Sequence, residues 1–315
     1  MSRLINCSML YRRNVPLFYT AASGGRIWFY NGNSWIEDRP KGDVNGNWYS
    51  VAMSEDGSTR IAVEYNGRAY LFKNGAWAIT NPDGFNGNRD WYHVSMSDDG
   101  TKMCAVRSSH SVQSCFNGTN WVQMSSAYAG TRYKTSIHRD GTKIYVTDIS
   151  STYLYIYDVS TGNSTAYTTV GGTLATPWTF FADENHTKMM TVRYNGRVRF
   201  TTNGTTWNDT GPYAAGTNRP FRFGHISSDG NTLLVGGQDD LWTLEGGIWI
   251  QQQPNGLNMG GIWYSGRLSK DGSKILAANS GGVLHYKQNS VWTPIFPNGD
   301  TTNRIYLTCD FHFIP

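Results

Sequence analysis

Residues 48–77 read WYSVAMSEDGSTRIAVEYNGRAYLFKNGAW, from Trp48 to Trp77. Three apolar-rich runs, Trp48 to Met53, Arg60 to Glu64 and Arg68 to Phe72, and a short fourth one at Trp77 are separated by turn signals. These are Ser54-Glu55-Asp56-Gly57, Tyr65-Asn66-Gly67 and Asn74-Gly75. Asn-Gly and Asp-Gly reach the positive φ of a tight hairpin without the steric penalty that other residues meet there, so the runs they join fold back antiparallel. The stretch therefore predicts a four-stranded meander within a unit of about 42 residues.

The unit repeats. An Asp-Gly recurs at Asp99-Gly100, Asp140-Gly141, Asp229-Gly230 and Asp271-Gly272, with Asn185-His186 in the one remaining place, at steps of 43, 41, 45, 44 and 42 residues from Asp56. A second comb, the aromatic residue closing each unit, falls at Trp35, Trp77, Trp121, Tyr167, Trp207, Trp249 and Trp292. Both combs agree on seven units. A period of about 40 to 50 residues with four strands per unit is the signature of a β-propeller blade, and the three-and-four apolar spacing of helical repeats is absent.

The expected fold is thus all-β: one seven-bladed β-propeller of four-stranded antiparallel blades spanning residues 1–315. The blades fall at about 3–36 together with 303–313, then 47–78, 90–122, 132–168, 177–208, 220–250 and 262–293. The run Arg304 to Phe313, RIYLTCDFHF, matches the first strand of a unit. It is expected to pair within the blade of residues 15–36 and so close the ring, while residues 3–11 either add an edge strand or compete for the inner place.

Bulk composition fits this reading. Only 16% of the 315 residues are charged, 14% are aromatic and 35 are glycine, the profile of a turn-rich β protein rather than a disordered or coiled-coil chain. A net charge of +4 without any block of like charges argues against a nucleic-acid partner. MSRLINCSMLYRR lacks the apolar core of a signal peptide and no run of 18 apolar residues exists, so a soluble protein without a membrane partner is expected. Four cysteines are too few for a disulfide scaffold. Cys104 and Cys115 fall opposite each other across one hairpin and are read as buried thiols, and Cys7 and Cys309 come near each other at the ring closure.

Thr201-Thr202-Asn203-Gly204-Thr205-Thr206-Trp207 carries a family likeness, echoed by Phe116 to Trp121 and by Asn31 to Trp35. It resembles the Asp box of neuraminidase-type propeller repeats, with Asn for Asp and one residue missing. The resemblance implies the fold. Were it to extend to sialidase activity it would imply an Arg triad, a Tyr/Glu nucleophile pair and an Asp acid, yet Tyr11-Arg12-Arg13-Asn14-Val15-Pro16 does not match the Arg-x-Pro signature.

No HExxH, P-loop, G-x-S-x-G or paired C-x-x-C occurs, and the seven histidines are dispersed. No catalytic residue, cofactor or metal is expected. Loop oxygens of Asp83, Asn86, Asn88 and Asp90 are read as hydrated turns rather than calcium ligands. The sequons at Asn117 and Asn203 are read as hairpin turns. Trp48, Trp91, Trp178 and Trp263 open inner strands beside Pro-Asn/Asp-Gly loops. Their rings either pack between blades or, with Asn88, Arg89, Arg219 and Arg304, line a groove for a sugar.

The expected function is a non-enzymatic binding or assembly propeller presenting a loop-rich face to a glycan or protein partner. The Asn, Gly, Thr, Trp and Tyr richness resembles that of phage-particle proteins, which implies a virion setting and other virion proteins as partners. A sialidase-like hydrolase and an intracellular interaction scaffold are the alternatives.

Overall fold

The computed structural model describes residues 15–107, 113–124, 133–148, 154–162, 164–167, 177–193, 197–213, 220–254, 261–280, 283–299 and 306–314. The described residues are all-β, strands joined by turns with almost no helix, and no helix among them is long and apolar enough to cross a membrane.

Strands pair antiparallel in sets of four. Four sets are separate sheets, spanning Tyr133 to Tyr167, Pro177 to Thr210, Phe221 to Gln252 and Trp263 to Ile295. Three more, running from Val15 to Asp38, Gly46 to Thr80 and Arg89 to Met124, join into one twelve-stranded sheet through two short pairings, Ser23 with Asn47 and Tyr65 with Asp90. The sets are numbered one to seven in chain order from Val15.

The strand that completes set one, and stands first in it, comes from the other end of the chain. Tyr306–Ile314 pairs antiparallel with Val15–Gly25, from Val15 opposite Ile314 to Ala22 opposite Tyr306. The expected terminal pairing is therefore present. Residues 3–11 and Cys7 lie outside the described residues.

Several second strands are short and mostly apolar, such as Met103–Arg107, Leu233–Gly237 and Ile275–Asn279, and every residue of these three is buried. Alternate residues serve different cores. Leu234 packs toward Trp263 of set seven, while Leu233 and Val235 pack toward Met190 and Val192 of set five. Each buried cluster draws on two successive sets. Leu17, Tyr19 and Phe29 meet Trp48 and Met53, and the same pattern continues to the cluster in which Leu276 and Leu284 of set seven meet Phe18 and Trp28 of set one. Fully burying one such side chain contributes about 1.5–3 kcal/mol.

First strands are also neighbours in succession: Gly46–Met53, Arg89–Met96, Tyr133–Ile137, Pro177–Ala182, Phe221–Ile226, Trp263–Leu268 and Tyr306–Ile314, the last also contacting Gly46–Met53.

Turns between first and second strands share one plan. Ser54 Oγ donates to Asp56 Oδ1 at 2.6 Å and accepts from the Thr59 amide at 3.0 Å, and serines 97, 227 and 269 repeat this at 2.6, 2.6 and 2.5 Å to their aspartates. Main-chain bonds then link turn to turn, from Glu55 N to Asp98 O and from Asp98 N to Arg139 O. Sets one and two are further held by Arg60, whose buried guanidinium meets Asp38 at 2.8 and 3.2 Å and stacks 3.8 Å over Phe72. Cys104 and Cys115 sit opposite each other as buried free thiols, as does Cys309 beside Thr20.

Candidate functional site

Near its start, each of five first strands breaks register with its neighbour. The shifts fall between Trp48 and Ser50, Trp91 and His93, Pro177 and Thr179, Phe221 and Phe223, and Trp263 and Ser265. The residue inside each shift is Tyr49, Tyr92, Trp178, Arg222 or Tyr264. A β-bulge leaves such a residue out of the ladder and re-aims its side chain.

Tyr49, Tyr92, Arg222 and Tyr264 all line one cavity of about 170 Å³, and for Trp178 the backbone alone is described. Residues from the first strands of all seven sets contribute to its wall, Cys309 coming from the C-terminal strand. A smaller cavity of about 30 Å³ adjoins it, sharing Ser95, Ser136 and Arg267.

The wall is aromatic and cationic. Tyr49 packs on Tyr92 with ring centroids 5.1 Å apart and on Tyr65 at 5.3 Å, and the Arg222 guanidinium lies 5.6 Å from the Tyr264 ring centre. Lys134 Nζ donates to the Arg222 carbonyl at 3.3 Å. Burial, helped by the nearby Arg222 charge, pulls the Lys134 ammonium down to about 7. Burial, with Lys134 and Arg267 adding to it, pushes the His93 imidazole down to about 3, so it is neutral at physiological pH.

Among the described lining residues of the larger cavity there is no Asp or Glu. The adjoining cavity has Asp98, paired with Lys270 at 2.9 Å, and Asp310, whose carboxylate receives Arg267 Nε at 3.2 Å and the Met53 amide at 2.9 Å. Burial alone would raise the Asp310 pKa, but Arg267 and His312 hold it well below the usual range. It is an acceptor, not a proton source. Glycoside hydrolysis with an acid and a second carboxylate flanking the bond has no such pair on the larger cavity's described wall. The chemistry the wall suits is recognition of an anionic group with ring stacking.

Trp48, Trp91 and Trp263, put forward from the sequence as ring faces for a sugar, are 1%, 2% and 2% exposed and belong to the cores between sets. They offer no face to a ligand. The reason is strand alternation: the indole points into the core, and the next residue, a tyrosine in all three cases, lines the cavity. Arg89 is half-buried, bonded to Asp83 at 2.8 Å and stacked 3.4 Å over Phe85. Asn88 lies exposed in the same loop, away from the cavity wall, and Arg219 and Arg304 lie outside the described residues.

Asp83 also receives Arg107, Asp90 receives Arg107 at 3.0 Å, and Asn86 receives Arg68 at 2.8 Å, so these loop oxygens bind guanidinium groups. The repeated Trp-Tyr dipeptides at 48–49, 91–92 and 263–264 were the signal that could have pointed to the cavity.

Compared with known proteins, the sequence matches no family profile and no curated protein.

Proposed function

We propose that the chain is a closed seven-bladed β-propeller that works as a non-enzymatic binding module, taking the acidic end of a glycan into its central cavity. The cavity wall carries this reading: seven first strands contribute to it, and Lys134, Arg222 and tyrosines line it without a carboxylate among the described residues. Closure is supported by the cluster joining set seven to set one and by the contact of Tyr306–Ile314 with both Trp263–Leu268 and Gly46–Met53.

Three of the bulged residues, Tyr49, Tyr92 and Tyr264, stand near the starts of first strands that follow the long proline- and glycine-containing loops. The opening therefore faces the loop-rich side, where Arg68 reaches Asn86 and Lys41 reaches Glu64. A cavity of this size takes the end of a ligand, and the loops are left to meet the rest of it. Asp-box kinship is supported by the turns at Asn31, Asn117 and Asn203, where each side-chain oxygen accepts two successive backbone amides. A setting in a phage particle rests on composition alone.

An array of acidic and neutral oligosaccharides probes the module. Sialylated, uronic-acid or sulfated members are expected to be retained, and Arg222→Ala and Tyr264→Ala are expected to lose them at unchanged melting temperature. Retention of neutral sugars only, or acidic binding that survives both substitutions, overturns the reading.

A further inference from the structure

Two neighbouring turns depart from the shared plan, and their departures meet at one point. His138 stands where the turns at 54, 97, 227 and 269 carry serine, and His186 stands where turns carry Gly57, Gly100, Gly141, Gly230 and Gly272. His186 holds φ at 56°, in the left-handed region that those glycines adopt freely and a side chain strains. The two rings lie against each other with centroids 3.7 Å apart, and Asp140, the ordinary aspartate of its own turn, faces one nitrogen of each.

Donor atoms of His138, Asp140 and His186 all lie within 4.8 Å of one another. His138 Nδ1 is 2.7 Å from Asp140 Oδ1, and His186 Nε2 is 3.5 Å from Asp140 Oδ2. The remaining ring nitrogens face outward to fixed partners. His138 Nε2 donates to the Asp183 carbonyl at 2.8 Å, and His186 Nδ1 meets the buried Tyr145 hydroxyl at 2.5 Å. A carbonyl oxygen only accepts, so His138 Nε2 carries a proton and Nδ1 turns toward the carboxylate. At 2.7 Å the lone pairs of Nδ1 and Oδ1 need a positive centre between them, which a second ring proton or a bound metal ion supplies. Outward bonds that set tautomer and ring orientation are also the support that metal-bound imidazoles use.

We infer that His138, Asp140 and His186 form a binding site for a divalent transition-metal ion. Two imidazole nitrogens and one carboxylate suit zinc, cobalt or nickel rather than calcium or magnesium, which prefer all-oxygen sets. His138 is buried while Asp140 is exposed, so the site opens to solvent and water completes the coordination. The site bridges sets four and five on the turn side of the molecule, away from the tyrosine-lined opening. Its success or failure is separate from that of the glycan reading.

Titrating the full-length protein with zinc chloride and cobalt chloride tests the site. One equivalent of zinc is expected to bind and raise the melting temperature, and cobalt is expected to give the visible bands of a low-coordinate N/O site. His186→Gly restores the residue other turns carry, so it is expected to keep the metal-free melting temperature while weakening binding by at least the roughly 10- to 100-fold that loss of an outer-shell partner costs. Asp140→Asn is expected to weaken binding with it. The inference is overturned if wild type shows no metal-dependent change, which leaves a His138 imidazolium paired with Asp140. It is equally overturned if His186→Gly binds as wild type does, which places the ion elsewhere.

Discussion

Trp91 and Tyr92 are adjacent in the chain and serve opposite purposes. Trp91 fills the core against Met103 and Phe116, whereas Tyr92 leans on Tyr49 at the cavity wall. Trp91→Ala is expected to destabilise the fold by about 3–5 kcal/mol through the void it leaves. Tyr92→Ala is expected to cost about 1 kcal/mol or less, so denaturant titration of the two variants separates core from wall. Lys134 offers a pH test. Its folded-state value of about 7 lies below its ordinary 10.5, so between those values the unfolded chain holds more protons and stability rises with pH. Below about 7 both states are protonated and the full cost of the buried cation remains. Lys134→Met should therefore stabilise more at about pH 6 than at about pH 9, and an equal gain at both would mean that Lys134 keeps an ordinary pKa.

At the scale of the element, the turn is what repeats. Gly100 holds φ at 67°, and a Cβ added there would come within 2.9 Å of Ser54 and Thr59 in the preceding set. Glycine is thus required both by conformation and by close approach. Gly100→Ala is expected to cost about 1–3 kcal/mol, read from the denaturation midpoint, whereas Gly75→Ala at an outer hairpin has open space and only the backbone strain to bear. Strands, turns and their order were legible because Asp-Gly and Asn-Gly fix hairpins locally and the apolar runs between them are unmistakable. The site was legible only in part. The register shift that turns Tyr49 to the cavity belongs to strand pairing, so apart from the recurrence of Trp-Tyr at 48–49, 91–92 and 263–264 no local signal sets it apart from an outward tyrosine. His138 and His186 lie in separate turns that only the packing of two sets brings together.

For the whole molecule, the shared set of first and last strands bears on everything else. Removing residues 306–315 would strip set one of its first strand, expose Phe18 and Leu276, and take Cys309 from the cavity wall. That truncation is expected to abolish cooperative unfolding rather than to lower its midpoint modestly, as thermal melting would reveal. An electron-density map of the intact protein tests the account most directly. It is predicted to contain seven four-stranded sheets around one opening rimmed by Tyr49, Arg222 and Tyr264, with Tyr306–Ile314 beside Val15–Gly25. A different number of sheets around the opening, or a C-terminal strand placed away from Val15–Gly25, would contradict it.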